Sequence, residues 1–128
     1  MNSIKQAQKI YEVCVLNAKI GKTVTYKKVL EYLGYDLGVP SHAIRYGLEL
    51  AWIACSHTKL PILTSIVVAD ATGKPSPSGY SVPDWEKDAQ KVFAHKEWPQ
   101  VDEIDWNYIW ENRKELSNIY GTRGYWGS

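Results

Sequence analysis

The side chains able to do chemistry in this chain are few and widely spaced. Its two cysteines, Cys14 and Cys55, are far apart in sequence with no local partner, which is neither a disulfide framework nor a four-cysteine zinc site. Cys55 and His57 lie two positions apart on one predicted helix, so their side chains diverge by about 200° and cannot act together as local metal ligands. His42 and His95 have no acidic or thiol neighbour at ligand spacing, so the sequence predicts no metal and no cofactor. There is no Gly-x-Ser-x-Gly elbow, no Gly-x-x-x-x-Gly-Lys phosphate cradle and no Gly-x-Gly-x-x-Gly turn. The acidic groups Asp84/Glu86/Asp88 and Asp102/Glu103/Asp105 fall at the starts of predicted helices, where the helix dipole favours a carboxylate. No catalytic residue is therefore predicted. What remains are groups that make contacts: scattered lysines, and six Trp and nine Tyr against one Phe. Aromatics with a polar handle suit interfaces and half-wet surfaces.

Length and composition bound what can position these groups. The chain has 128 residues, enough for one domain, and its 45% hydrophobic and 23% charged content excludes a disordered tail or a fibrous repeat. No apolar run approaches the ~18 residues needed to cross a bilayer, and the start lacks the apolar core of a signal peptide. A soluble protein of the reducing cytoplasm, without a membrane partner, is expected. The net charge of +1 is too small to indicate a nucleic-acid binder by itself. Its distribution is uneven, with nine Lys/Arg against five Asp/Glu in residues 1–80 and six against nine in residues 81–128. Such asymmetry fits two surfaces with different jobs, and also two ordinary solvated faces.

The helical pattern starts at once. Ser3 is read as an N-cap, followed by Ile4, Ala7, Tyr11, Cys14 and Ala18 on one buried face, with Gly21 past the helix end. Thr23-Val24-Thr25 is β-prone, and Thr25 caps a second helix carrying Tyr26, Val29, Leu30 and Leu33, stopped by Gly34. Ser41 is expected to cap a third helix over residues 41–56. Ile44, Gly47 or Leu48, Ala51 and Cys55 form its core stripe, while Arg45, Glu49, Trp52 and Ser56 form a second, available stripe. Residues 60–69 read as a strand and 80–82 as its return, a hairpin with a long loop tipped by Lys74. Residues from Pro83-Asp84 onward open a fourth helix that ends before Trp98-Pro99. Asp102 or Asp105 caps a last helix, followed by a glycine-punctuated tail.

Two helices joined by a turn and followed by a hairpin make an α+β winged helix-turn-helix, here with an added C-terminal helix. In that arrangement helix 41–56 enters a groove of double-stranded DNA, its reading stripe joined by Ser41 and His42 at the helix start. Lys22, Lys27, Lys28, Arg45, Lys59 and Lys74 form a phosphate-contacting set, unless these cations simply occupy exposed positions.

The order of several segments carries a resemblance. Lys22-Thr-Val-Thr-Tyr26 through Gly34, then Pro40 and Ala43-Ile-Arg45-Tyr-Gly47, then Leu60-Pro61 through Val67-Val68, then Gly79-Tyr80, resembles the DNA-binding domain of alkylguanine-DNA alkyltransferases and alkyltransferase-like proteins. The likeness covers about residues 10–95, with residues 1–97 forming the winged-helix part. It implies a DNA-repair context in which a damaged base is flipped from the duplex. Tyr26 then matches the tyrosine that crowds the flipped nucleotide's phosphate, and it also fits a core position. Arg45 is the nearest counterpart of the arginine that fills the vacated stack, one residue out of register when Gly47 is the anchor. Arg45 and Glu49, one turn apart, also suit a simple pair. The family's Pro-Cys-His-Arg-Val-Val segment has no Cys, His or Arg here, so the resemblance implies recognition of damaged or flipped bases without the alkyl-transfer reaction.

Residues 98–128, an aromatic-rich extension and tail of the same domain, have no counterpart in that family. Trp106, Trp110, Tyr125 and Trp126 are candidates for binding a protein partner or for folding back over the DNA-reading face, or else they are core of a short helical extension. The alternative function is accordingly a small protein-binding inhibitor, of an anti-defence or immunity type, using the same fold as an interaction surface.

Overall fold

The computed structural model describes residues 1–36, 38–77, 79–122 and 124–125 of the chain. It is mostly helical, with one small parallel sheet, an α+β arrangement in the loose sense. Helix α1 (Ser3–Lys19) begins at Asn2, whose side chain accepts from the Lys5 N–H, so the cap lies one residue before the expected Ser3. Its buried face, including Ala7, Ile10, Tyr11, Cys14 and Ala18, follows the three- and four-residue spacing of the sequence. Gly21 then takes the left-handed conformation at φ 69° that ends the helix.

Strand β1 (Val24–Thr25) runs directly into helix α2 (Tyr26–Leu33). Thr25 caps that helix by accepting from Lys28 N–H at 3.2 Å, and Gly34 closes it at φ 86°. A 3-10 turn (Ser41–Ile44) leads into helix α3 (Arg45–His57), the central element of the core. The hydroxyl of Ser41 makes no capping bond, so the expected α-helix over 41–56 starts four residues late, behind a tighter turn. Pro40 precedes it in extended backbone, and the Gln6 amide in α1 holds the turn by donating to the Ala43 carbonyl at 3.1 Å. Helices α1 and α3 approach closely at Gly47. A Cβ there would lie 2.7 Å from Gln6 Cβ and 3.1 Å from Ile10 Cδ1, so only glycine leaves room.

The hairpin expected from residues 60–69 and 80–82 does not form. After Pro61, residues Leu63–Ile66 wind into a second 3-10 turn, and only strand β2 (Val67–Val68) is extended. Its partner is β1, in parallel, with Val24 opposite Val67 and Thr25 opposite Val68. The returning segment carries Pro75, Pro77 and Pro83, which offer no ladder N–H, and Tyr80 turns its ring inward instead. The wing is therefore a loop.

Helix α4 (Trp85–Ala94) packs against the Leu63–Ile66 turn, and Val92 is fully buried there. The single C-terminal helix expected after Asp105 is two: α5 (Trp106–Glu111), capped by Asp105 through Tyr108 N–H at 3.1 Å, and α6 (Arg113–Tyr120). The break falls at Asn112, whose side chain donates to the Tyr108 carbonyl and whose backbone leaves helical angles. Helix α6 lies along α3, with the Tyr120 hydroxyl 3.1 Å from His57 Nδ1. Among the described residues no helix is long and apolar enough to cross a membrane.

Candidate nucleic-acid interface

The start of α3 supplies the first part of the site. His42 is exposed, and Ser41, Arg45 and Tyr46 are half-buried. Farther along the helix the expected reading stripe is lost. Glu49 is 1% exposed and Trp52 8% exposed, so neither reaches a ligand, and both belong to the interior. Trp52 meets the ring of Tyr80 edge-on at 4.6 Å, and the Tyr80 hydroxyl donates to Asp88 Oδ2 at 2.6 Å. Burial, and then the Asp88 carboxylate, hold the Tyr80 phenol protonated well above its ordinary range. Glu49 does not pair with Arg45. Its Oε1 accepts from the Thr122 hydroxyl at 3.1 Å, from Gly124 N–H and from Tyr125 N–H at 3.3 Å. The interface open to solvent on this helix shrinks to its first turn and the 3-10 turn before it.

The start of α2 supplies the second part. Tyr26 is 5% exposed, so its ring is core, while its hydroxyl accepts from Ser76 N–H at 3.0 Å. Gly79 lies so close that a Cβ there would collide with that hydroxyl. Neither Ser76 nor Gly79 carried a sequence signal for this role, apart from glycine's tolerance of close approach. Lys22, Lys27 and Lys28 are exposed around this helix start. A cleft of about 240 Å³ runs between α2 and the loop before α3, lined by Tyr26, Lys27, Glu31, Tyr35, Asp36 and Ser41.

Lys74 sits in an exposed turn held by Ala69 N–H to the Lys74 carbonyl at 2.8 Å and by Thr72 Oγ1 accepting from Lys74 N–H. The Ser76 contact joins this loop to Tyr26. The fold thus brings together Tyr26, Lys27 and Ser41, with the Lys74 loop fastened beside them. Lys59 is not among them. It lies beyond the far end of α3, about 20 Å along the helix axis from Arg45 at ~1.5 Å per residue, in a left-handed conformation with φ 58°.

The C-terminal aromatics divide. Trp106 is 4% exposed, donates Nε1–H to the Val101 carbonyl at 2.7 Å and stands edge-on to Tyr11, so it is core and not a partner-binding group. Trp110 is half-buried beneath the Arg113 guanidinium, 3.9 Å from its ring centroid. Tyr125 packs edge-on to Tyr46, with ring centroids 5.6 Å apart. Trp126 lies outside the described residues. Tyr46, next to Arg45 in sequence, is a contact residue that the stripe pattern missed, because it falls between the two stripes.

Neither cysteine is prepared as a nucleophile. Cys14 and Cys55 are fully buried, and burial pushes the Cys55 thiol up to about 12 and the Cys14 thiol higher still. Thr64 and Ser65 are buried too, their hydroxyls without a hydrogen-bond partner among the described residues. Among the described residues no three His, Cys, Asp or Glu side chains gather in a way that could hold a metal ion. No family model matches the chain, no curated protein matches it, and no solved structure does.

Proposed function

We propose that the protein binds double-stranded DNA, without altering it covalently, through the end of the domain where the start of α2, residues 41–46 and the loop over residues 69–80 adjoin. The observation that carries this reading is the Tyr26 hydroxyl, which accepts from Ser76 N–H and abuts Gly79. It fastens together two of the segments on which the alkyltransferase-like resemblance rests. Lys27, Lys28 and Lys74 stand exposed around that junction, and exposed His42 follows Ser41 of the cleft wall in sequence. Cations so placed suit a phosphate backbone. The same resemblance supplies the ligand class, a duplex with a damaged or flipped base. Where the family carries its reactive motif this chain has Pro61-Ile62-Leu63-Thr64-Ser65, with no Cys, His or Arg. A buried threonine hydroxyl with no base beside it cannot accept an alkyl group as a thiolate does.

The second reading, a binding-only inhibitor of another protein, is favoured by one observation: Glu31 and Asp36 share the cleft with Lys27, so its charge is mixed. Salt titration separates the two. For the first, the affinity for a duplex falls steeply as salt rises, and the paired substitution Lys27→Ala/Lys28→Ala lowers the slope of log K against log salt by about 2. No binding at low salt, to a plain duplex or to one holding a flipped base, overturns it.

A further inference from the structure

We infer that the C-terminal segment is a working part of the DNA interface: Glu49 anchors Thr122, Gly124 and Tyr125 so that Tyr125, with Tyr46, holds the Arg45 guanidinium ready for a two-oxygen or O6/N7 acceptor on the duplex. This inference rests on the DNA-binding reading above and adds to it a segment that the family resemblance does not cover.

The chain of contacts starts in the middle of α3. A carboxylate taken out of water is strongly unfavourable unless donors surround it. The donors for Glu49 come from a segment more than seventy positions later in the chain: the Thr122 hydroxyl, Gly124 N–H and Tyr125 N–H. The approach of that segment is set as well. Gly121 turns the chain off the end of α6 at φ 62°, and Thr122 is tied back to Ser117 by its N–H at 3.1 Å and by its hydroxyl at 2.7 Å. An apolar residue at position 49 would serve the core at least as well, so the acid's specific effect is to fix where Thr122, Gly124 and Tyr125 lie.

Fixing them brings Tyr125 to Arg45. The guanidinium carbon lies 4.9 Å from the Tyr46 ring centroid and 5.7 Å from that of Tyr125. Arg45 remains half-buried, not enclosed. A guanidinium packed on two rings has lost much of its rotamer freedom before any ligand arrives, while its N–H donors still match a phosphodiester or the O6/N7 edge of a guanine in pairs. Held in this way, Arg45 is a fixed bidentate donor on the surface and not a side chain free to swing into the base stack. Tyr125 and Glu49 are positioning residues in this account, and Arg45 touches the DNA.

The test is a double-mutant cycle on the full chain, with affinity for a labelled duplex measured at fixed low salt. Tyr125→Ala weakens binding about tenfold, the scale of re-ordering one rotamer-rich side chain on association, and Tyr125→Phe restores it. In an Arg45→Ala background, Tyr125→Ala has no further effect. Arg45→Lys behaves like Arg45→Ala, because an ammonium keeps the charge and loses the paired donors. Glu49→Gln, checked as folded by its melting transition, moves affinity in the same direction as Tyr125→Ala. Replacing every guanine in the duplex by inosine separates the two acceptors poorly, since O6 and N7 persist. 7-Deazaguanine removes N7 and lowers affinity only if the guanine edge is the acceptor, whereas a phosphate contact is unaffected. Equal losses from Tyr125→Ala with and without Arg45 overturn the inference and leave the DNA reading intact. Tighter binding by Tyr125→Ala also overturns it, by identifying the segment as a cover over the interface. Failure of the unmodified protein to bind any duplex overturns both.

Discussion

Replacing Gly79 by alanine tests the junction between α2 and the 69–80 loop directly. The added Cβ would run into the Tyr26 hydroxyl, with the ring carbon that bears it 3.2 Å away. No left-handed backbone is involved at this glycine, so the effect is purely one of space. Overpacking of this kind costs about 1–3 kcal/mol, less the few tenths gained by restricting the unfolded chain. Tyr26→Phe removes the bond to Ser76 N–H at a cost of about 1 kcal/mol. The two changes should not add. With the hydroxyl gone, the new methyl meets only the ring edge at a distance that a small shift relieves. The double variant is therefore expected near the Tyr26→Phe single, with a coupling of at least about 1 kcal/mol. Urea unfolding followed by tryptophan fluorescence reads all four corners of the cycle. Additivity within about 0.5 kcal/mol, or an unperturbed Gly79→Ala, would refute the argument that this contact holds the loop.

Other expectations follow from features equally local. Lys59→Gly, at φ 58°, relieves a left-handed non-glycine residue and should raise stability by about 1 kcal/mol, read as a higher melting temperature. Gly47→Ala forces α1 from α3 and should destabilise by about 1–3 kcal/mol in the same assay, and a neutral result would mean that the helices can part freely. Cys14 and Cys55 should resist a thiol reagent at neutral pH until the chain unfolds, when both label. Because burial raises the Cys55 thiol from 9.0 to about 12, the folded state keeps its proton where the unfolded chain releases it. That contribution is intact below about 9 and is lost as pH climbs towards 12, so the urea midpoint should fall over that range, less so in Cys55→Ala.

Helix faces were legible wherever the apolar spacing was local. Tyr26, Val29, Leu30 and Leu33 on α2, with Thr25 before and Gly34 after, need only neighbours within one turn to declare themselves. The failures share a cause. Residues 60–69 are rich in β-branched types, but propensity does not name a partner, and β2 found β1 instead of the segment that follows it. Glu49 looked like a solvent-facing acid because its partners, residues 122, 124 and 125, cannot be seen from α3. Trp106 was a candidate for partner binding as well as for core, and its N–H has the Val101 carbonyl to satisfy it inside. Of the proposed contact residues, Lys22, Lys27, Lys28, Ser41, His42 and Arg45 near helix starts stayed at or near the surface, while Tyr26, Glu49 and Trp52 went to the core and Lys59 to the opposite end.

The parallel pairing of β1 with β2 has a consequence for how the domain assembles. A two-residue ladder between Val24 and Val67 spans the whole of α2 and α3, and the α1–α3 contact at Gly47 closes a loop nearly as wide. Few of the decisive contacts are between sequence neighbours, so the chain must bear most of its ordering entropy before they reward it. A nascent chain that ends before Val67 carries three helices but lacks the strand that pairs with β1, and it would leave Val24 without its partner.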